Sequence, residues 1–344
     1  MEQNDFSHLI QDKVVLVTGA TGTVGSEVVR QALEYRPTKL VCLGRDEVRL
    51  TRLRTAQQEW NEHTSIVIAA GDVLRHEHLE KVFAEHRPNL VFHTAAHKHA
   101  QSESDAIEVA GHNIVGTANV VALAERWNIG KLLFTSTVKA IQPTSFMGVT
   151  KRVGEMLVGR AARRSGKRFI TVRLTNIRDS RGSVFELFHR QIATGGPVTI
   201  THPEIERIFI SAPEAVQFMF TALVLGQGGE IFAFQGGESL RIADLAREII
   251  ATHTSENYGH VQIDYIGLRP GEALIEAVAL DGPEWEPTAH EQIFSVSTPN
   301  LDQSFDSELQ SLMAAIGRRE SQILLEILAR VVPEFTPTAG EKRR

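Results

Sequence analysis

Short apolar runs alternate with amphipathic, helix-like segments through the first half of the chain. Six of these runs have the length and the apolar content of buried strands: residues 14–17, 40–43, 65–69, 90–92, 131–136 and 168–174. Strands that are apolar throughout and separated by helices are typical of a parallel sheet covered on both faces. The pattern therefore predicts an α/β fold with a doubly wound parallel sheet.

The pattern changes after about residue 178, where glycine and proline become frequent. They punctuate shorter elements around residues 195–197, 226–229, 236–237 and 270–271. This punctuation favours a smaller C-terminal lobe whose chain also returns in part to the main sheet. Helical patterns near 307–315 and 322–331 follow. We expect a first domain at 1–180, the smaller lobe at 181–335 and a flexible tail at 336–344.

Composition narrows the classes of protein that this chain can represent. Hydrophobic residues make up 42% of the 344 positions and charged residues 23%, as in ordinary globular proteins. Lys and Arg number 36 against 42 Asp and Glu, which gives a formal charge of -6. A general nucleic-acid binder needs a basic surface, so this balance argues against that class. A local basic pocket for a small anion is compatible with it.

The single cysteine and the N-terminal residues indicate the cellular compartment of the protein. Cys42 stands alone, which excludes an intrachain disulfide, and its apolar neighbours indicate a buried structural thiol. No run of 18 apolar residues occurs, and the first five residues are polar and acidic. These features predict a cytoplasmic protein without a signal peptide or a membrane span.

A glycine-rich turn after the first predicted strand is the strongest local signal. Residues 15–25 read V-L-V-T-G-A-T-G-T-V-G and lead into a helical pattern. Gly19 permits a tight turn, Gly22 lets the backbone approach a pyrophosphate, and Gly25 lets the helix pack against the strand. The pyrophosphate then lies at a helix N-terminus, where amide donors favour an anion. The turn predicts dinucleotide binding, and the alternative is a glycine-rich turn without a ligand.

The end of the second predicted strand indicates which dinucleotide is bound. Gly44 occupies the position where an acidic residue would bind the ribose 2′-hydroxyl, and Arg45 follows it. A guanidinium can hold a 2′-phosphate through charge-assisted hydrogen bonds, so the sequence favours NADP over NAD. The alternative is that Asp46 turns inward and Arg45 is solvated. Asp72, after the third strand, can bond the adenine amino group or belong to a simple turn.

Seven further segments follow in order and carry a family resemblance. They read H-T-A-A-H-K-H at 93–99, N-I-V-G-T at 113–117, S-T-V-K-A at 136–140, P-T-S-F-M-G-V-T-K-R at 143–152, S-R-G-S-V at 180–184, G-G-P-V-T-I-T-H-P at 195–203 and G-L-R-P-G-E at 267–272. From about residue 10 to 280 the chain resembles the CapD-type polysaccharide-biosynthesis branch of the extended short-chain dehydrogenase/reductases. That branch includes the UDP-N-acetylglucosamine 4,6-dehydratases and epimerases. Each motif alone is weak evidence for this family, whereas their ordered combination is specific for it.

The resemblance implies site residues in three groups. The catalytic residues it implies are Thr137, Lys139, Met147 and Lys151. The cofactor contacts are Gly19, Thr21, Gly22, Thr23, Val24, Gly25, Arg45, Asp72, Val73, Ala95, Ala96, Asn113, Lys151 and Asn176. The contacts to a UDP-sugar are Lys98, Asn176, Ser183, Val184, Thr199, Arg207, Arg269 and Glu272. The resemblance also implies a Rossmann domain followed by a substrate lobe, and a homo-oligomer.

The reaction implied by the resemblance begins with oxidation of the sugar at C4 by hydride transfer to the nicotinamide. A lysine, Lys139 here, takes the C5 proton, an acid protonates the departing C6 hydroxyl, and the hydride returns to C6. The family's acid is an aspartate at the position of Val138, and valine cannot donate a proton. We expect 4,6-dehydration. The alternatives are a C4 or C5 epimerase of a nucleotide sugar or related nucleotide, and a catalytically silent nucleotide-binding protein.

Two further departures from the family pattern concern the reacting sugar. Met147 occupies the place of the usual tyrosine, so Thr137 or a water would relay the C4 hydroxyl proton, while Lys151 would hold the nicotinamide ribose. Asn176 is kept, but Arg178 and Asp179 replace small or apolar residues expected at the edge of the site. These two replacements leave the identity of the sugar open.

Three histidines invite comparison with a metal site. His93, His97 and His99 stand close together after the fourth predicted strand, but zinc needs four converging ligands. A loop beside the cofactor, with Lys98 directed at the substrate, is the simpler interpretation, and we expect no metal. No G-x-S-x-G sequence occurs, so a serine hydrolase has no support.

Overall fold

The six predicted strands all form in the computed structural model, which describes residues 5–58, 63–98, 103–254, 261–269, 272–276, 285–299, 301 and 304–336. Their bounds are β1 Val14–Thr18, β2 Lys39–Gly44, β3 Ser65–Ala70, β4 Leu90–His93, β5 Lys131–Thr137 and β6 Arg168–Leu174. Apolar residues on both faces of these strands pack into two clusters, one on each side of the sheet. Burial on both faces explains why the runs are apolar throughout rather than alternating.

Helices connect these strands and cover the sheet. Their bounds are α1 Ser7–Ile10, α2 Thr23–Glu34, α3 Glu47–Gln58, α4 His76–His86, α5 Glu103–Ala110, α6 Gly116–Arg126 and α7 Phe146–Ser165. A π-helical turn, Gly111–Val115, joins α5 to α6, and a 3₁₀ turn, Val138–Ala140, follows β5. The side chain of Ser145 caps α7 by accepting a hydrogen bond from the amide of Gly148 at 3.2 Å. This cap fixes where α7 begins beside the turn that carries Lys139.

The second half of the described chain adds shorter elements. Its strands are β7 Asn176–Ile177, β8 Val198–Ile200, β9 Glu206–Ile210, β10 Glu230–Phe234, β11 Glu238–Arg241, β12 Ile263–Tyr265, β13 Glu286–Pro287 and β14 Ile293–Ser297. Its helices are α8 Val184–Ala193, α9 Ala212–Leu225, α10 Ile242–Thr254, α11 Ser304–Arg318 and α12 Ser321–Val331. The last two helices confirm the two patterns predicted near the end of the chain.

Within the described residues the main sheet has nine strands, in the order β13-β14-β10-β6-β5-β4-β1-β2-β3. The strands from β3 across to β10 are parallel, and β14 and β13 join antiparallel. The predicted doubly wound α/β fold is confirmed. The chain order reverses between β1 and β4, and open α/β sheets bind ligands in the crevice at such a switch point.

Two small sheets, β11-β9-β7 and β12-β8, lie outside the main sheet. Helices α8 and α10 pack beside them around Phe188 and Ile249, so this part of the chain has an apolar core of its own. Strands β10, β13 and β14 return to the main sheet, as expected. The division at residue 180 stays a prediction. Thr336, the last described residue, donates its amide to Pro143, and the rest of the expected tail, 337–344, lies outside the described residues.

The helical stretch Asp105–Arg126 is long and apolar enough to cross a membrane by length and composition. Of its most apolar window, 61% is buried inside the protein. Its residues, including Ile114 and Val120, pack into the described apolar clusters. In this structure it is therefore a core helix. Cys42 is buried in β2, and burial raises the pKa of its thiol to about 12, as expected of a structural cysteine.

Candidate active site

One large cavity lies over the carboxyl ends of β1, β2, β4 and β5. Its volume is about 1640 Å³. Pockets for one small ligand usually measure about 300–1,000 Å³, so this cavity has room for a dinucleotide and a second ligand. The predicted site residues that line it are Gly19, Thr21, Gly22, Thr23, Val24, Gly25, Arg45, Asp72, Val73, Ala95, Ala96, Lys98, Thr137, Lys139, Met147, Lys151, Asn176, Ser183, Val184, Thr199, Arg207, Arg269 and Glu272.

The glycine-rich turn forms one wall of the cavity. Gly19 has a φ of +71°, which side-chain-bearing residues rarely adopt. A Cβ on Gly25 would lie 2.2 Å from the carbonyl oxygen of Gly19, so only glycine permits the close approach of α2 to β1. Helix α2 begins at Thr23, and its N-cap residue, Gly22, has no side chain that could cap the first turn. Its free amides at the cavity wall form a cradle that fits a dinucleotide pyrophosphate.

Arg45, Asp72 and His112 meet at the adenosine end predicted for the cavity. His112 Nδ1 donates to the Glu108 carbonyl at 3.0 Å, and its Nε2 lies 3.2 Å from Asp72 Oδ2 and 3.1 Å from Arg45 Nη1. The hydrogen bond to Asp72 raises the pKa of His112, outweighing partial burial. Burial alone would raise the pKa of Asp72, but His112 and the Leu74 amide hold it low. His112 was not predicted from the sequence, although it directly precedes Asn113, the first residue of the N-I-V-G-T motif.

His93 is a structural histidine. It is fully buried, with Nδ1 2.7 Å from Thr18 Oγ1 and Nε2 3.0 Å from Thr117 Oγ1. Burial, aided by Lys151, lowers its pKa to about 3, so the ring is neutral. Both ring nitrogens are used by hydroxyl groups. No cluster of three metal-ligating side chains occurs among the residues that the structure describes, and His99 lies outside them.

Lys151 projects from α7 into the cavity wall beside Met147. Its Nζ donates to the Thr135 carbonyl at 2.8 Å and lies 4.5 Å from the centre of the Phe134 ring. Burial is the main cause that lowers its pKa to about 7. An amine with that pKa exchanges protons at neutral pH, which the thioether of Met147 cannot do. Thr137 also lines the cavity, and its Oγ1 lies 3.4 Å from the Lys139 amide.

Four side chains from separate segments converge at the other end of the cavity. Lys139 Nζ lies 3.3 Å from Asn176 Oδ1 and 3.4 Å from Glu276 Oε1. Arg207 Nε lies 3.2 Å from the same Glu276 oxygen, and Asn176 Nδ2 donates to Glu276 Oε2 at 2.9 Å. Glu276 was not predicted from the sequence. The available signal was its position four residues after Glu272, the last residue of the segment 267–272.

Further basic groups line the same cavity. Arg207 also contacts Glu272 Oε1 at 3.4 Å, and the Arg269 amide donates to Glu272 Oε2 at 3.1 Å. Arg181, which the sequence analysis did not assign, donates through Nη2 to the Thr21 carbonyl in the glycine-rich turn. Burial, with Lys139 and Arg181 nearby, lowers the pKa of Lys98. A cavity lined with these cations suits an anionic ligand.

Three expectations differ from the structure. Asn113 is fully buried behind the cavity wall, where its amide bonds the His97 backbone in both directions and the Thr150 hydroxyl. It therefore positions the loop after β4 rather than facing the cavity. Arg178 pairs with Glu238 at 2.6 Å, and neither Arg178 nor Asp179 lines the cavity. Sequence spacing alone did not reveal that these side chains are directed elsewhere.

The doubly wound sheet, the glycine-rich turn at its switch point, Lys139 in the turn after β5 and Lys151 on α7 define an extended short-chain dehydrogenase/reductase. The chain matches the family described as "Polysaccharide biosynthesis protein" over residues 15–298, and it belongs to that family. This confirms the resemblance noted in the sequence.

Similar proteins have been described in bacteria. The capsular polysaccharide biosynthesis protein CapD of Staphylococcus aureus is 37% identical over 78% of this chain and 45% of its own length. The chain thus spans about half the length of that relative. A UDP-glucose 4-epimerase of Rickettsia rickettsii is 32% identical over 78% of this chain and 77% of its own length. The X-ray structure of Pen from Bacillus thuringiensis is 30% identical, covers 84% of this chain and 90% of its own, and has a TM-score of 0.74.

Proposed function

We propose that this chain is an NADP-dependent enzyme that oxidises a UDP-N-acetylglucosamine-like sugar at C4 and removes water across C5 and C6. The observation that carries the proposal is a single cavity that joins a pyrophosphate cradle to Lys151, Lys139 and Glu276. Family membership supports a nucleotide-sugar substrate. NAD is the alternative cofactor.

The residues present fit a nicotinamide dinucleotide. The free amides of α2 would hold the pyrophosphate, Asp72 and Val73 the adenine, and Arg45 with His112 the 2′-phosphate of NADP. When bound, this cofactor supplies a hydride acceptor for C4 and a hydride donor for the later reduction. Asn113 has no cofactor contact in this proposal, because it is buried behind the cavity wall.

Lys151 is the proposed acceptor of the C4 hydroxyl proton. Met147 cannot take that proton, and Thr137, which also lines the cavity, would serve as a relay. The pKa of Lys151, lowered to about 7 by burial, leaves a substantial fraction of neutral amine at physiological pH. General bases work best when their pKa is near the working pH.

The diphosphate of the substrate would lie among Arg207, Arg269 and the start of α8. Ser183 and Val184 line the cavity at the point where α8 begins, and helix N-termini bind phosphate groups. Arg207 is largely buried, so its pairing with phosphate would be shielded from solvent. Thr199 and Glu272 complete the substrate contacts in this proposal.

Epimerisation is the second candidate, and Val138 is the observation that favours it. This side chain is 4% exposed, lines the cavity and cannot protonate a departing hydroxyl. If no other group supplied that proton, the C6 hydroxyl would stay. Return of hydride to the other face of C4, or of a proton to the other face of C5, would then give an epimer.

A mass-spectrometric assay in D₂O separates these candidates. The protein is incubated with NADP or NAD and a panel of UDP-sugars, beginning with UDP-N-acetylglucosamine. Loss of one water with uptake of deuterium is the expected result. Uptake of one deuterium without loss of water would indicate C5 epimerisation. Where the mass of the sugar nucleotide does not change, NMR of the same sample would detect C4 epimerisation. No change with any sugar would contradict the proposed function.

A further inference from the structure

Glu276 is the carboxylate that lies against Lys139, beside the position where the family pattern places an aspartate and this chain has Val138. Its Oε1 is 3.4 Å from Lys139 Nζ, and its side chain is 11% exposed. It reaches the site from a segment that is 100 residues beyond Asn176, with which it is hydrogen-bonded. The carboxyl group missing from the β5 turn is therefore supplied to the same cavity from elsewhere in the chain.

The partners of Lys139 indicate its protonation state. Among the described residues, Nζ is paired with Asn176 Oδ1 and Glu276 Oε1, and both atoms are hydrogen-bond acceptors. Two acceptors suit an ammonium, which has three N–H donors and no lone pair. An ammonium can give a proton to a departing hydroxyl but cannot take one from carbon.

The partners of Glu276 indicate the opposite state. Arg207 and Lys139 lie against Oε1, and Asn176 donates to Oε2. An ionised carboxylate only accepts hydrogen bonds, so it can receive a proton but cannot give one. Arg207 is also a proposed diphosphate contact.

We propose, on the basis of the function proposed above, that Glu276 is the base at C5 and Lys139 is the acid at C6, the reverse of the role that the family resemblance implies for the lysine. After C4 is oxidised, the Glu276 carboxylate takes the C5 proton and the C5–H electron pair forms the C5–C6 double bond. The C6–O bond breaks, and the oxygen leaves as water with the proton from Lys139. C6 then receives the hydride that C4 gave up. Glu276, whose proton has exchanged with solvent, protonates C5, and Lys139 is reprotonated from solvent.

Two variants separate this assignment from its reverse: Glu276→Gln and Lys139→Met. Each is mixed with NADP and the sugar that the wild type converts, in D₂O. Formation of NADPH is followed by absorbance, deuterium at C5 by NMR and water loss by mass. Glu276→Gln is expected to form NADPH, but its rate of exchange of the C5 proton should fall by about 10²–10⁴-fold. Lys139→Met is still expected to exchange the C5 proton for deuterium, while its rate of water elimination falls by a similar factor.

Glu272→Gln is the matched control, because Glu272, like Glu276, is a carboxylate that lies against the Arg207 guanidinium. It is expected to raise the KM for the sugar without changing the ratio of C5 exchange to C4 oxidation. Glu276→Asp is expected to restore part of the exchange. Equal NADP affinity in all variants establishes that each is folded.

The outcomes distinguish this proposal from the one on which it rests. If Glu276→Gln exchanges C5 at the wild-type rate, or if Lys139→Met loses exchange, Glu276 is not the base and the assignment is wrong. The proposed function would stand in both cases. A wild type that neither eliminates water nor exchanges C5 with any sugar of the panel would overturn the dehydration itself and this assignment with it.

Discussion

The two ends of the cavity are built in different ways. At the nucleotide end, the backbone of one short turn does most of the binding: Gly19, Gly22 and Gly25 shape it, and the first amides of α2 face the cavity. At the sugar end, side chains make the site, and Lys139, Asn176, Arg207 and Glu276 come from four separate segments. Backbone geometry provides binding, whereas titratable side chains provide chemistry.

This difference predicts that the two functions can be separated by mutation. A change in the glycine-rich turn should weaken nucleotide binding and leave the ion pairs of the sugar end intact. A change at the sugar end should abolish turnover and leave nucleotide affinity intact. The following variants test that separation.

The largest effect is expected for Lys151→Met. Loss of a base for the C4 hydroxyl should slow formation of NADPH by about 10²–10⁴-fold, because a positioned proton acceptor contributes about that much. In the wild type this step should become faster as pH rises through about 7, where Lys151 loses its proton. Stopped-flow absorbance measures both effects. Lys151→Arg should not restore the rate, since a guanidinium keeps its proton, and a wild-type rate that is flat across this pH range would contradict the role of Lys151.

The next effect is expected for Gly25→Val. The new side chain must displace α2 from β1, and overpacking of this kind costs about 1–3 kcal/mol. NADP affinity should therefore fall by about 10- to 100-fold, as fluorescence titration with NADPH would measure. Gly317→Ala is the matched control, because a Cβ at that helical glycine meets nothing within 4 Å. If both substitutions weakened NADP binding equally, the glycine-rich turn would not be the preformed pyrophosphate site.

A smaller and more selective effect is expected for Arg45→Ala. The affinity for NADPH should fall by about tenfold, the size of one charge-assisted hydrogen bond. The affinity for NADH should stay the same, because NADH has no 2′-phosphate. Parallel titrations with the two nucleotides measure the ratio. Equal losses for both would place Arg45 against another part of the nucleotide.

The smallest effect is a pH dependence caused by His112. The hydrogen bond to Asp72 raises the pKa of His112, so its charge is present at low pH and is lost as pH rises through that value. NADPH affinity should fall by about threefold over this range, as expected for a partly exposed charge pair. The pKa of its neighbour Asp72 is held low, so Asp72 keeps its charge in that window, and burial lowers the pKa of His97.

His112→Gln should remove most of this pH dependence. The exposed His189, on α8, gives the control variant His189→Gln, which should keep it. NADH serves as the internal reference, because its affinity should vary little over the same range. A slope that persists in His112→Gln would assign the titration to another group.

The sequence predicted most of the fold and the nucleotide end because both depend on local patterns. Apolar runs such as 131–136 become buried strands wherever both faces of a sheet are covered, and the glycine-rich turn is contained in eleven residues. The sugar end depends on contacts between distant segments. Nothing local to residue 276 indicates that its carboxylate meets Lys139, and nothing local to Asn113 indicates that its amide is used by the loop at His97.

A crystal structure with NADP and a UDP-sugar would test the central claim most directly. The account predicts the pyrophosphate on the first amides of α2 and the C5–C6 bond of the sugar between Glu276 and Lys139. A sugar whose C5 lies beyond reach of both side chains, or a dinucleotide bound away from the glycine-rich turn, would contradict it.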